Sequence, residues 1–371
     1  MSSTNNVCNV SEELKDIYVG IDVHKDSWSV TVRSKNLELK RFRMSKPTPE
    51  MLHKTLLTKF PGFRYHLVYE AGFSGYSLYE YFNERGIDII VTPPNRIPKD
   101  FSKVKTDKLD SSKLAKYLAS GLLKKVLVPS KDIQHYRLMF TMLDKLKSQR
   151  KQIINQFKSQ LDLLDHPLKN RPWSTSLQCQ LELTEFPYAQ YNEVFHTHLK
   201  NLRTLEKHIA EMERTIKEVA NDPKYRHIIQ HLDSIKGISL LSAIRLTVFL
   251  FDRPDRFSSS ESLCNYMGLT PSEHSSGEKE NRGSITRIGN KQLRALLVQM
   301  TWIAVRYDGD LLMKFEELLS RGKNKKQAII AITRRFLVKS YQSLKRGEAY
   351  EPHLGLNVSP EAKKQIAPTL P

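Results

Sequence analysis

The chain has 371 residues, of which 59 are Lys or Arg and 40 are Asp or Glu, so its formal net charge is +19. This length predicts two or three domains, and no apolar run approaches the roughly 20 residues that a membrane span needs. Three widely separated cysteines, Cys8, Cys179 and Cys264, argue against a disulfide framework and indicate a reducing compartment. We therefore expect a cytoplasmic, nucleoid-associated protein that has no membrane contact and binds polyanions.

The basic residues are concentrated in two runs. Residues 96–125 hold nine basic and three acidic residues, and residues 321–346 hold nine basic residues and no acid. One such run is usually a solvated basic surface. Two runs, together with the overall charge, favour contact with a nucleic-acid backbone.

The first third of the chain predicts a small mixed sheet, because β-branched and alternating runs are separated by segments with helical spacing. The predicted elements are strands at 17–23, 28–33 and 37–43, a helix from 48, a strand at 65–70, a helix at 76–85, a strand at 87–92 and a helix at 108–120. This β-β-β-α-β-α-β-α order is typical of the RNase H/RuvC-like fold, although actin-like ATPases share much of it. A sugar-kinase-like ATPase is disfavoured, because no GxxxxGK[ST] motif and no Gly-rich loop after the first strand is present.

Four carboxylates lie on these predicted elements. Asp22 is inside the first strand, Glu70 ends the fourth, and Asp107 and Asp110 share one face at the start of a helix. Acids placed together in this way would repel one another without a cation, and their hard oxygen ligands suit one or two Mg²⁺ ions, with Mn²⁺ as a substitute. Such ions clamp the attacking and leaving oxygens of a phosphodiester.

Each acid also has a purely structural interpretation. Asp107 would serve as a helix N-cap, Asp110 as an exposed first-turn acid, and Glu70 as a solvated strand end. Asp22 is the hardest to explain in this way, because an unpaired acid inside a strand is costly to bury. Together the four favour a metal site.

Three segments resemble blocks of the DEDD-type transposases of the insertion-sequence 110 family, which are relatives of Piv-type DNA invertases. The segments are GIDVHK at 20–25, YEAG at 69–72 and KTDKLDSSKLA at 105–115. The resemblance implies that Asp22, Glu70, Asp107 and Asp110 are the RuvC-like metal ligands. The family usually has Ala after its last acid, where this chain has Ser111, and we expect that change to be harmless.

The middle of the chain is helical. Residues 132–165 contain no Gly or Pro and predict one long helix, which Pro167 ends. A second helix carries an apolar residue at every seventh position, namely Phe195, Leu202, Ile209 and Ile216. This seam fits either an ordinary antiparallel helix pair within one chain or a coiled coil between protomers.

The C-terminal third begins with a possible phosphate-binding turn. Residues 232–239, which include Lys236 and Gly237, precede an apolar helix at 240–251 and resemble a helix-hairpin-helix. In such hairpins the turn presents backbone N–H groups to a phosphate without reading bases.

A polar segment at 272–290 predicts a loop or hairpin that leads into another helix. Arg282, Arg287 and Arg294 would surround a phosphate there, and a hydroxyl near these arginines is a candidate nucleophile. Composition does not choose among the serines of the segment, which include Ser272, Ser275, Ser276 and Ser284.

A second resemblance to the same family lies in this segment. The order GLTP, SG, RG and LR across residues 268–294 is similar to the family's second block. It implies that Ser276 is the nucleophile, with Ser275 one residue away. The family further implies a structured non-coding RNA, encoded by the element, that pairs with donor and target DNA.

The last basic stretch predicts a helix that packs its apolar residues inward and leaves basic side chains for phosphates. The candidate nucleic-acid contacts of the whole chain are Lys105, Lys108, Lys236, Arg282, Arg287, Arg294, Lys325, Lys326, Arg334 and Arg335.

The expected architecture is an α/β RNase H/RuvC-like N-terminal domain, a helical coiled-coil middle, and a mainly α C-terminal domain with a helix-hairpin-helix-like segment. The expected bounds are a flexible N-terminus at 1–16, the RuvC-like domain at 17–130, the helical region at 131–222, the C-terminal transposase domain at 223–350 and a tail at 351–371.

The resemblance implies a DNA transposase or site-specific recombinase that cleaves and exchanges strands with Mg²⁺ and the Ser276 nucleophile. Its expected partners are donor and target DNA, a guide RNA, and further copies of the chain in a dimer or tetramer. One alternative is a RuvC-like endonuclease or Holliday-junction resolvase that uses metal-activated water. Another is a non-catalytic nucleic-acid-binding regulator, which the presence of all four acids disfavours.

Overall fold

The computed structural model describes residues 16–94, 97, 107–164, 168, 173–253, 255–276 and 279–352, without the side chains of 107–109, 273–276 and 279–282. Lys105 and most of the predicted terminal segments therefore lie outside the described residues, as do the side chains of Asp107, Lys108, Ser276 and Arg282. The chain divides between Val128 and Pro129 into two compact units. The finer domain bounds expected from the sequence remain a prediction.

The first unit is a mixed α/β layer structure, as predicted. Its elements are β1 (Asp16–Val23), β2 (Ser27–Arg33), β3 (Glu38–Ser45), α1 (Pro49–Lys59), β4 (Arg64–Glu70), α2 (Ser77–Asn83), β5 (Asp88–Thr92) and α3 (Asp107–Ala119). Helix α1 begins where expected, because the Thr48 hydroxyl accepts a hydrogen bond from the Met51 N–H and Pro49 occupies the first turn.

Five strands form one sheet in the order β3-β2-β1-β4-β5. The β1, β2 and β3 strands are antiparallel neighbours, whereas β4 and β5 run parallel to β1. Apolar side chains of the central strands, such as Ile17, Val19 and Ile21, are fully buried. The carboxyl ends of β1, β4 and β5 therefore share one edge of the sheet.

The second unit is mainly helical, as predicted. It contains α4 (Lys131–Leu163), α5 (Thr175–Glu182), α6 (Ala189–Glu218), α7 (Arg226–Ser234), α8 (Leu240–Leu246), α9 (Ser260–Tyr266), the hairpin strands β6 (Pro271–Ser276) and β7 (Lys279–Ile285), α10 (Lys291–Ala304), α11 (Gly309–Ser320) and α12 (Lys325–Arg346). Among the described residues, no helix is long and apolar enough to cross a membrane.

Helices α4 and α6 pack against each other as an antiparallel pair. The Phe157 and Phe195 ring centroids are 4.7 Å apart, and Lys147 Nζ lies 2.7 Å from a carboxylate oxygen of Glu213. Most of the predicted apolar seam is buried in this way, with Phe195 4% exposed. The structure therefore shows an antiparallel helix pair within one chain, and a coiled coil between protomers remains a prediction.

Candidate active site and nucleic-acid-binding residues

Asp22 and Glu70 lie side by side at the edge of the sheet. Ile21 of β1 pairs in register with Tyr69 of the parallel strand β4, and the two acids are the next residue on each strand. Neighbouring strands are about 4.8 Å apart, and residues at the same level of parallel strands share a face. The Glu70 side chain is exposed, and that of Asp22 is 19% exposed.

The Asp22 carboxylate has a hydrogen-bonding partner within its own strand end. Its Oδ2 lies 3.1 Å from Nε2 of His24, whose side chain is 47% exposed. Such a contact reduces the cost of holding an acid inside a strand. His24 was not singled out from the sequence, although its position two residues after Asp22, on the same side of the chain, was the available signal.

Helix α3 carries the other two candidate acids and packs on the sheet across β1, β2 and β4. Asp107 is its first residue, and Asp110 is half-buried one turn later. The helix approaches β1 closely at Gly20, where an added Cβ would lie 2.1 Å from the Ser111 carbonyl oxygen. Because Gly20 and Asp22 are two residues apart on a strand, they face the same side of the sheet. Helix α3 and the Asp22 side chain are therefore on the same face.

The donor set suits a hard divalent cation, since it consists of carboxylate oxygens on neighbouring elements. Asp22 and Glu70 are adjacent, and α3 lies on their face of the sheet. Among the side chains that the structure describes, no three His, Cys, Asp or Glu groups are gathered closely enough to hold a metal ion, and the Asp107 side chain is not in that set.

Ser276 is the last residue of β6 and pairs with Lys279 across the end of the β6–β7 hairpin. Ser275 pairs with Glu280 one step back. Farther down the hairpin the Ser272 hydroxyl donates to the Ser284 carbonyl oxygen at 2.9 Å. Ser272 therefore has a local structural role, whereas Ser275 and Ser276 both stay candidates.

The segment after the hairpin is tied to the end of α9. An added Cβ on Gly289 would lie 2.2 Å from the Tyr266 carbonyl oxygen, and one on Gly268 would lie 2.1 Å from that of Ile288. The Arg294 guanidinium donates to the Met267 carbonyl oxygen at 3.1 Å. The glycines of this motif thus permit close backbone approach, and Arg294 has a structural role in addition to the predicted phosphate contact.

Arg287 is exposed in the irregular segment after β7, and Lys236 is exposed in a turn. Arg287 has a left-handed backbone (φ 55°), which is uncommon for a residue other than Gly. Lys236 lies between α7 and α8, where Gly237 has φ +102° and an added Cβ would lie 2.7 Å from the Met300 carbonyl oxygen. The tight turn predicted between these helices is present, and its phosphate-binding role remains a prediction.

The basic residues of α12 fall into two groups. Lys325, Lys326 and Arg335 are exposed. Arg334 is half-buried and hydrogen-bonds the Cys264 thiol; burial raises the pKa of that thiol and Arg334 opposes the rise. Lys339 is also half-buried, and its Nζ lies 2.8 Å from Oδ2 of Asp308. Arg334 and Lys339 therefore form the second group, whose side chains have partners within the unit.

Asp308 is the centre of a buried polar cluster that sequence reasoning did not find. Only 2% of the residue is exposed. Besides contacting Lys339, its carboxylate caps α11 and accepts a hydrogen bond from the Tyr350 hydroxyl at 2.6 Å. Burial, followed by the Asp308 contact, raises the pKa of the Tyr350 hydroxyl. The available signal was an Asp-Gly-Asp sequence before a helical pattern, which predicts a cap but not its buried partners.

Two family models match this chain in the expected order. Residues 19–165 match the DEDD transposase model of the IS110 type, and residues 229–316 match the model of the IS116/IS110/IS902 transposase family. The chain is 28% identical over 303 residues to a putative transposase, y4qE, of Sinorhizobium fredii, covering 78% of this chain and 72% of the relative.

Two further relatives are similar over shorter stretches. The transposase for insertion sequence element IS1533 of Leptospira borgpetersenii is 27% identical over 239 residues, covering 62% of this chain and 69% of the relative. The pilin gene-inverting protein of Moraxella bovis is 30% identical over 157 residues, covering 42% of this chain and 48% of the relative.

These matches define an enzyme that acts on DNA, a transposase or recombinase. The chain belongs to the IS110-type DEDD transposases. Use of a divalent metal ion is a general property that the DEDD domain implies.

Proposed function

We propose that this protein is an RNase H/RuvC-like DNA recombinase in which Asp22, Glu70, Asp107 and Asp110 hold Mg²⁺ and Ser276 is the nucleophile. The observation that carries the metal site is the register of β1 and β4, which sets Asp22 beside Glu70. The order of strands and helices in the first unit supports the RuvC-like assignment. A divalent ion bound by these carboxylates would polarise the scissile phosphate and stabilise charge on its oxygens.

The proposed chemistry is a reversible exchange of phosphodiester bonds. The Ser276 hydroxyl loses its proton and forms a bond to phosphorus, while the bond from phosphorus to the leaving-strand oxygen breaks and that oxygen takes up a proton. A covalent phosphoserine then holds one DNA end. Attack by the hydroxyl end of a new strand reverses the step and releases Ser276.

The exposed cations are proposed to bind nucleic-acid backbone. Lys236, Arg287, Lys325, Lys326 and Arg335 are all exposed in the second unit. Phosphate contacts of this kind position a duplex without reading its sequence. We propose that sequence choice comes from a structured RNA encoded with the element, and that a dimer or tetramer assembles the acids of one copy with the serine of another.

A labelled-DNA assay tests the nucleophile. The protein, co-expressed with its flanking non-coding DNA, is incubated with labelled donor and target DNA and Mg²⁺ or Mn²⁺, and denaturing gels report cleavage and label retained on protein. We expect a covalent adduct with wild type and with the matched control Ser275→Ala, and none with Ser276→Ala. Asp22→Ala should abolish both adduct and cleavage.

Other outcomes would contradict parts of the proposal. Cleavage without an adduct in any variant would mean a RuvC-like nuclease that uses water. DNA binding without cleavage in wild type would favour a regulator. Sequencing of RNA that copurifies with the protein tests the guide, and light scattering of the complex tests the oligomer.

A further inference from the structure

Ser111 lies in the buried contact between α3 and the sheet. Its hydroxyl is 2.9 Å from that of Thr31 on β2, and both residues are 0% exposed. Two hydroxyls shielded from water in this way satisfy each other, and each would be left without a partner if the other were removed. The expectation that Ser in place of the family's usual Ala is harmless remains a prediction, and the structure adds that this Ser has a specific buried partner.

The hydrogen bond stands next to the closest backbone approach between helix and sheet. Thr31 pairs in register with Gly20 on β1. An added Cβ on Gly20 would lie 2.1 Å from the Ser111 carbonyl oxygen and 2.5 Å from the Ala115 nitrogen. Gly20 therefore lets the helix reach the sheet, and the Thr31–Ser111 bond adds a directional contact at that point.

The location of this contact matters because of its neighbours in the chain. Ser111 directly follows Asp110 and lies four residues, about one helical turn, after Asp107. Gly20 lies two residues before Asp22 on the same face of β1. One contact thus joins the strand that carries the first candidate ligand to the helix that carries two others. A slide or rotation of α3 would move Asp107 and Asp110 relative to Asp22.

We propose that Thr31 and Ser111 are positioning residues, which set α3 on the sheet so that Asp107 and Asp110 complete the cation site with Asp22 and Glu70. The inference rests on the proposed function. The contact is the hydrogen bond between the Thr31 and Ser111 hydroxyls, which an Ala at position 111 could not make. Neither hydroxyl is proposed to touch DNA or the ion.

The test uses the full chain and Mn²⁺ as the probe. Calorimetry measures Mn²⁺ affinity, and the Mn²⁺ dependence of DNA cleavage is measured in parallel with the melting temperature. The variants are Thr31→Val and Ser111→Ala, which each remove one hydroxyl, and the double variant. Thr31→Ser keeps a hydroxyl and serves as the conservative variant. Ser112→Ala is the matched control, because Ser112 is the next helix residue and donates instead to Glu38 at 3.0 Å.

We expect Thr31→Val and Ser111→Ala each to weaken Mn²⁺ binding about tenfold. Loss of residues that orient the metal ligands without binding the ion has an effect of this size. The Mn²⁺ needed for half-maximal cleavage should rise by the same factor. The double variant should bind Mn²⁺ with the same affinity as either single variant, because removing one hydroxyl already breaks the hydrogen bond between the two. Thr31→Ser and Ser112→Ala should stay within about twofold of wild type.

Unchanged Mn²⁺ affinity in both single variants, even with a lower melting temperature, would overturn the proposal and leave the pair as a core contact. A tenfold loss in Ser112→Ala would also overturn it. Failure of the proposed function gives a different result, because wild type itself would then bind no Mn²⁺ and cleave no DNA.

Discussion

The candidate acids of the first unit and the basic residues of the second unit are held in place by different kinds of interaction. Asp22 and Glu70 each follow one member of a backbone-paired couple, so strand register sets their spacing. The side chains of Lys339 and Arg294 instead contact groups that are distant in sequence. Lys339 contacts the Asp308 carboxylate, and Arg294 contacts the Met267 carbonyl oxygen. The positions of acids on neighbouring strands therefore predict which acids lie close together. The role of a basic residue depends instead on which distant segments of the chain pack against it.

The second unit also buries charge and pairs it. Arg245 and Asp144 are 13% and 19% exposed, and their closest atoms are 2.5 Å apart. Arg256 pairs with Asp252, which is 3% exposed. Removing one partner of such a pair leaves an uncompensated charge, which costs more than the pair itself contributes. We therefore expect the second unit to be sensitive to loss of buried acids and the first unit to be sensitive to added volume.

The largest stability effect is expected at Asp308. Asp308→Ala removes the acceptor of the Tyr350 hydroxyl and the cap of α11, and it leaves Lys339 Nζ with the more distant Asp310 carboxylate, 3.8 Å away, in place of its Asp308 hydrogen bond. The free energy of unfolding should fall by about 3–5 kcal/mol, measured by chemical denaturation. The control is Glu348→Ala, which removes an exposed pair with Arg346 and should change stability by less than about 0.5 kcal/mol. Equal effects of the two substitutions would contradict the importance of burial.

In the first unit the corresponding test adds one methyl group. Gly20→Ala places a Cβ against the Ser111 and Ala115 backbone and should lower the free energy of unfolding by about 2–3 kcal/mol. Gly72→Ala is the matched control, because the nearest atom to its Cβ would be 4.0 Å away. If both variants melt at the wild-type temperature, α3 does not press on β1 as described.

Exposed and paired cations of the second unit should differ in DNA binding. Lys325 and Lys326 are exposed at the start of α12, and changing both to Ala should lower the slope of log affinity against log salt by about 2. Changing Lys147 and Arg150 to Ala removes the same charge from pairs with Glu213 and Glu206. This control should keep the wild-type slope. An equal loss in both doubles would mean that total charge, and not α12, governs binding.

The smallest effect concerns a tyrosine of the helical unit. Burial and the hydrogen bond to Asp222 raise the pKa of Tyr136 to about 12. The folded chain therefore holds the Tyr136 proton more tightly than the unfolded chain does. The contribution of the protonated hydroxyl to stability is complete below about pH 10 and is lost as pH rises through about 12.

Comparison with a Phe variant isolates this contribution. Tyr136→Phe should be less stable at neutral pH by about 1 kcal/mol, and the two stabilities should converge between about pH 10 and pH 12. Denaturant unfolding across that range measures both curves. A constant difference between them would show that Tyr136 has no raised pKa in the folded chain.

Most of the N-terminal elements and the long helices were predictable, because hydrophobic periodicity reports which face of a strand or helix is buried. Three features were not. The His24 contact with Asp22 had only the two-residue spacing as a signal. The Thr31–Ser111 bond and the Asp308 cluster join residues whose pairing leaves no periodic signal. Two of these are long-range contacts, and nothing in local sequence spacing encodes them.

The sequence by itself determined the order of the elements, the positions of the acids on them and the family of the chain, because periodicity and motif spacing are local properties. Only the tertiary structure decided which strands are neighbours, that the apolar seam of α6 packs on α4, and which cations remain exposed. The physical reason is that register, burial and charge pairing are set by segments far apart in the chain. Their free energies are realised only when those segments meet.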